Sequence, residues 1–351
     1  MATTPALRKW AGQPSRSLKD TSAAFGPAYG GNRRALIGDL LSDDLKTRTN
    51  ATYVRKALNI LGHSGYEGQL WAYDPMAFGG GGRAAIVVGD LENAAYVAFC
   101  VPGTGHSLAT LPWCAEGARS LHQECLEGNP EANVAVVYWM GYQPPSLVPQ
   151  AGLASYAEEG EKLLRRDLDE LKQGWNQSAS RRRLNLPAPR LTVSGHSYGS
   201  ATVGLAATRQ EGFADSLILL GSPGSYADHA ADLKVGTNNV FVGASNMDAV
   251  TYLQRFGTDP AHRAFGATRF RADYTGPDRN MISEHSHYYD AGSESVHNIA
   301  QIVMGQPQNL IHQNHRTRPS VAYAMQYAMN NLTHAIAQEA HHWTETARLW
   351  L

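Results

Sequence analysis

A chain of 351 residues, 43% hydrophobic and 17% charged, has the length and composition to bury a sizeable core. A formal net charge of −1 lacks the basic excess that binding nucleic acid calls for. No run reaches the ~18 apolar residues of a membrane span, and residues 1–10 lack the apolar centre of a signal peptide, so a cytoplasmic protein is expected, with export by an unusual route left open.

In chain order, residues 1–30 are rich in small and polar types with little periodicity. Residues 32–62 space Leu36, Leu40 and Leu41, then Val54, Leu58 and Leu61, at helix-like intervals. Strand-like runs at 69–73 and 84–88 flank Gly79-Gly80-Gly81-Gly82, which reads as a hairpin or wide turn. A phosphate loop opens into a helix, and here a strand follows. Apolar runs at 96–101, 134–139, 191–193, 216–220 and 240–243, with a weaker one at 268–272, alternate with helical segments at 115–126, 158–175, 200–208 and 295–303. This predicts an α/β fold, a mostly parallel central sheet with helices on both faces. Arg181-Arg182-Arg183 reads as a solvated loop. A stripe from Val321 through Met325, Leu332, Ile336, Trp343 and Trp350 predicts a long C-terminal helix, packed on the domain or serving as a cap or oligomer contact. The expected organisation is an N-terminal extension (1–67), a catalytic domain (68–305) and a helical extension (306–351). Of the cysteines, Cys100 should be a buried thiol, while Cys114 and Cys125 have a spacing that allows a bridge without demanding one.

Chemistry enters at Gly195-His196-Ser197-Tyr198-Gly199, a G-x-S-x-G pattern. Alone it is weak, because chance matches to so short a pattern are common in a chain with 34 glycines. Its setting between a short apolar strand and a small-residue helix is what a nucleophile elbow requires. The tight turn presents the Ser197 hydroxyl above the sheet, and the N–H of Tyr198 is aimed to hold an oxyanion. A second donor should come from the loop Pro102-Gly103-Thr104-Gly105, with Thr104 favoured and Gly103 the alternative.

Serine needs a base, and the base an orienting carboxylate; in this architecture the acid and then the histidine follow the nucleophile. Asp248 stands a few residues beyond the run at 240–243, where an acid belongs. Asp259 sits in a turn-like Gly-Thr-Asp-Pro, and Asp215 at the wrong end of a strand. His285 and His287 share the next loop, and spacing alone does not choose between them. As a zinc pair they lack companion ligands. His106, Trp139 and Tyr142 are candidates to meet the substrate.

Several motifs together resemble a family of actinobacterial α/β-hydrolases of unassigned function. They are Tyr73-Asp74-Pro75, Gly82-Arg83-Ala84-Ala85, Val88-Gly89-Asp90, Val101-Pro102-Gly103-Thr104-Gly105, Trp139-Met140-Gly141-Tyr142, Gly195-His196-Ser197-Tyr198-Gly199-Ser200, Gly257-Thr258-Asp259-Pro260 and His285-Ser286-His287-Tyr288. The resemblance runs from about residue 68 to about 305. It implies an α/β-hydrolase fold with Ser197 as nucleophile and Asp248 as acid, and a His-Ser-x-Tyr pattern that makes His285 the base. The expected activity is hydrolysis of a carboxylic ester or related acyl compound, lipids included, without metal or organic cofactor. An acyltransferase or amidase with the same triad, or an inert binding protein of this fold, are the alternatives. Substrate identity and oligomeric state are not legible.

Overall fold

The computed structural model describes residues 25–62, 68–276, 280 and 283–316. The expected C-terminal helix, and all but the end of the small-residue stretch at 1–30, lie outside the described residues.

Eight strands form one sheet: β1 Gln69–Asp74, β2 Arg83–Val88, β3 Tyr96–Val101, β4 Val134–Met140, β5 Arg190–His196, β6 Ser216–Leu220, β7 Val240–Gly243 and β8 Thr268–Phe270. Their spatial order is β1-β2-β4-β3-β5-β6-β7-β8. β1 and β2 are antiparallel to their neighbours and every later pairing is parallel. The architecture is the expected α/β-hydrolase one.

The main helices are α1 Gly26–Asp39, α2 Leu45–Gly62, α3 Leu111–Glu127, α4 Ser155–Gln177, α5 Tyr198–Arg209 and α6 Glu294–Val303. Alternation along β4 shows why the sheet is covered twice. Ala135, Val137 and Trp139 pack with Leu164, Leu168 and Leu171 of α4 and Ala201 of α5. Val134, Val136, Tyr138 and Met140 pack with Leu58 of α2, Leu121 of α3 and Ile299 of α6. A strand buried on both faces can be apolar at every position, and β4 is.

Four features differ from the sequence expectation or resolve it. The helical stretch at 32–62 is broken after Asp39, because the Asp44 carboxylate accepts the Thr47 N–H at 2.6 Å and starts α2 afresh. The glycine run joins β1 to β2 through a helical turn, with Phe78, Gly79 and Gly80 at positive φ. The three arginines are not a solvated loop. They end a short helical turn, Ala179–Arg183, capped by Ser178, and Arg181 is buried with its guanidinium donating to Glu92 O and Ala94 O, each at 2.9 Å. All three cysteines are buried free thiols, so Cys114 and Cys125 do not bridge. Among the described residues, no helix is long and apolar enough to cross a membrane.

Candidate active site

β5 ends at His196, α5 begins at Tyr198, and Ser197 occupies the single residue between them. Its φ of 55° and ψ of −127° lie where side chains other than glycine are strained. The flanking glycines explain how so sharp a turn packs. A Cβ on Gly195 would stand 2.6 Å from Gly199 O, and one on Gly199 only 2.4 Å from Val101 O. The Ser197 N–H donates to Leu220 O at 2.8 Å, tying the turn to β6.

Asp248 and His285 meet at this hydroxyl. The His285 Nε2 lies 2.8 Å from Ser197 Oγ, and its Nδ1 lies 3.0 and 2.9 Å from the two Asp248 oxygens. Asp248 follows β7 and is fully buried, and it caps the turn Ala249–Tyr252 by accepting the Val250 N–H at 3.0 Å. Burial alone pushes its carboxyl up. The charge and hydrogen bond of His285, followed by the Tyr288 hydroxyl, outweigh that and hold it below the ordinary value. His287 instead has its Nδ1 on Asp290, with its ring stacked on Tyr274 at 4.2 Å. Asp259 is spent in a buried ion pair with Arg316 at 2.9 Å, and Asp215 accepts the Leu191 N–H at the opposite end of the sheet.

The loop expected to supply the second oxyanion donor comes close to the elbow. A Cβ on Gly103 would fall 2.7 Å from Ser197 Cβ and 2.9 Å from Tyr198 N, so the loop after β3 crosses directly over the elbow. The Tyr198 N–H opens α5 and has no intrahelical acceptor. The Thr104 N–H donates to no other backbone group among the described residues. His106 braces this loop. Its Nδ1 lies 3.2 Å from both Gly103 O and Thr104 O, two acceptors that require Nδ1 to carry the proton. Its Nε2 is buried with no hydrogen-bond partner among the described residues. Trp139 and Tyr142, 0% and 1% exposed, lie in the core rather than at an open surface. They stack at 5.7 Å; the Trp139 indole donates to Asp167 at 2.8 Å, and the Tyr142 hydroxyl donates to Pro102 O at 2.6 Å. Tyr142 therefore reaches the site through the loop after β3. Among the described residues no group of three His, Cys, Asp or Glu is placed to hold a metal ion.

Several supports escaped the sequence reading. His196 places its Nε2 2.7 Å from His285 O, with the two rings 4.8 Å apart. Ser245 anchors the Asp248 loop: its N–H donates to Tyr288, its hydroxyl lies against the carboxylates of Glu284 and Asp273, and its carbonyl accepts from Arg316. Residues 310–316 thus pack on the same body as the sheet, with His312 bridging to Phe270 of β8. Tyr288 and His196 lie inside motifs quoted above, but Arg316 had no sequence signal.

Desolvation, with the charge of His285 next, lowers the His196 imidazole from 6.5 to about 3. Between those values the unfolded chain binds a proton here and the folded chain does not. Stability is therefore complete above pH 6.5 and declines as pH falls, by ~1.4 kcal/mol per pH unit for one such imidazole. Thermal unfolding from pH 7 to 4 should show a shallower fall for His196→Gln than for the parent; equal slopes exclude this contribution.

The family model described as "Alpha/beta hydrolase" matches residues 78–258, just over half of the chain. Two uncharacterized proteins of Mycobacterium tuberculosis, one from each of two strains, are each 34% identical over 265 residues. The match takes in 67% of this chain and 39% of theirs, so the chain spans well under half the length of these relatives. Among solved structures, a hyperthermophilic esterase of Pyrobaculum calidifontis aligns with a TM-score of 0.42 at 13% identity, covering 87% of this chain and 99% of that one. A carboxylesterase of Mesorhizobium loti aligns with a TM-score of 0.37 at 16% identity, covering 64% of this chain and 95% of its own. With the sheet order and the family match together, the chain belongs to the α/β hydrolase family.

Proposed function

We propose that this protein is a serine hydrolase that cleaves a carboxylic ester through an acyl-enzyme. The observation that carries the reading is the unbroken chain Ser197–His285–Asp248, with contacts of 2.8 and 2.9 Å. Nδ1 of His285 faces the carboxylate oxygens of Asp248, which can only accept, so it holds the proton and Nε2 presents its lone pair to Ser197. As Ser197 Oγ attacks the acyl carbon, its proton passes to Nε2, and the buried Asp248 stabilises the imidazolium. The carbonyl oxygen gains negative charge and is held by the N–H groups of Tyr198 and Thr104. His285 then returns the proton to the departing alcohol oxygen, leaving the acyl group on Ser197. A water molecule, deprotonated by the same nitrogen, attacks that acyl carbon and releases the acid and the free serine. The substrate class is a small-molecule acyl ester.

A fluorophosphonate probe tests this directly, since it phosphonylates only a serine whose hydroxyl is activated. Stoichiometric labelling on the peptide that contains Ser197, together with turnover of a short p-nitrophenyl ester, is the expected result. An unlabelled, folded protein refutes it.

A further inference from the structure

We propose that Tyr288 is a positioning residue of this site, its phenol hydroxyl sharing the Asp248 carboxylate with His285 and thereby setting how basic His285 is. This rests on the serine-hydrolase reading above. The Tyr288 hydroxyl lies 2.7 Å from Asp248 Oδ2. The same oxygen accepts the Ser245 N–H at 3.2 Å, so its proton is directed to the carboxylate. Tyr288 is 1% exposed, so water does not stand in for the phenol. Burial first, then the Asp248 charge, push its ionisation far above the ordinary value, so it stays a donor over the whole working range.

Packing fixes the arrangement. Gly221, at φ +54°, is the point where the three groups converge. A Cβ there would lie 2.9 Å from Asp248 Oδ2, 3.0 Å from Tyr288 Cε2 and 3.1 Å from His285 Cε1. On another side the His196 ring sits 5.5 Å from Tyr288 and 4.8 Å from His285. The other ionisable groups facing the pair are His106 from the oxyanion loop, Arg316 from the C-terminal strap, and Glu284 and Asp273 through Ser245. None of these replaces the phenol, because Asp248 accepts its side-chain hydrogen bonds from His285 and Tyr288 alone among the described residues.

The consequence has a definite sign. A carboxylate that accepts the phenol proton presents less negative charge to His285. Removing the hydroxyl leaves the full charge facing the imidazole, which favours its protonated form. Tyr288→Phe should therefore move the acidic limb of kcat/KM to higher pH. It should also lower kcat by roughly ten- to a hundredfold, the loss of one charge-assisted hydrogen bond, with KM little changed. Site-specific 3-fluorotyrosine at 288, a stronger donor of nearly the same shape, should move the limb the opposite way. A role in packing alone leaves the limb where it is in both variants, and that outcome overturns the proposal even where kcat falls.

The imidazole N–H resonance of His285, assigned by its disappearance in His285→Gln, gives the same titration by NMR without any turnover. If parent protein and Ser197→Ala hydrolyse nothing alike, the hydrolase reading fails; the NMR titration still decides the Tyr288 coupling. If the parent is active and the resonance titrates identically with and without the hydroxyl, the coupling fails and the hydrolase reading stands.

Discussion

Ser197→Ala is expected to lower kcat on a short p-nitrophenyl ester by about four orders of magnitude or more while the protein stays folded. The loss follows from chemistry, since the hydroxyl that His285 Nε2 would deprotonate, 2.8 Å away, is removed. Stability separates two substitutions that are equally inactive. The backbone here, at φ 55° and ψ −127°, costs a residue with a Cβ about 1–3 kcal/mol. Alanine keeps that strain and should unfold close to the parent. Glycine relieves it, so Ser197→Gly should be the more stable of the two by about 1 kcal/mol. Parallel thermal unfolding and initial-rate measurements check both halves. Substantial hydrolysis by Ser197→Ala would falsify the assignment of the nucleophile.

Much of the fold was readable because it is written in local patterns. Buried parallel strands appear as short apolar runs, and β3 through β7 stand where those runs lie. The elbow was readable because its two glycines answer a steric demand that any local reading can state. Long-range choices were less legible. His285 and His287 are two residues apart on one loop, and only the path of that loop past Asp248 and Ser197, 37 and 88 residues away, brings one ring to the serine. The Arg316 strap is invisible for a similar reason. It crosses 71 residues to reach Ser245 O, and an arginine in a polar stretch looks the same whether solvated or buried. Arg181 misled in that way: a run of three basic residues suggests solvent, yet the first of them satisfies carbonyls at the end of β3's approach loop. The aromatic candidates for meeting substrate sit otherwise than at a surface: the Trp139 indole and the Tyr142 phenol have internal acceptors and are held in the core.

These supports show where the site's rigidity resides. Ser197 follows β5, Asp248 lies in the stretch after β7 and His285 sits in the helical turn Ser283–Ser286 before α6, so no single element holds them together. Ser245 and Gly221 hold them together: one spends every polar group on neighbours of Asp248 and His285, and the other leaves room for three side chains to touch.

Asp248→Asn is the second substitution expected to be nearly lethal to activity, with kcat lower by about 10⁴-fold. The carboxylate receives three donors: His285 Nδ1–H, the Val250 N–H and the Tyr288 O–H. An asparagine amide offers one accepting oxygen and one donating nitrogen in the same volume, so at least one donor is left facing another donor. The Val250 N–H is fixed backbone and keeps the amide oxygen on its side, so the amide nitrogen stands toward Tyr288 and His285, where the phenol hydroxyl can rotate away and His285 can exchange tautomers. The imidazole then carries its proton on Nε2 and accepts from the amide at Nδ1. In that form it has no lone pair to take the Ser197 proton, although every heavy atom is still in place. Fluorophosphonate labelling should slow in proportion to ester hydrolysis, because both depend on the same deprotonation. Thermal unfolding should change far less than activity does. A variant that keeps more than a tenth of the parent rate would remove Asp248 from the triad and leave its buried carboxylate a purely structural role.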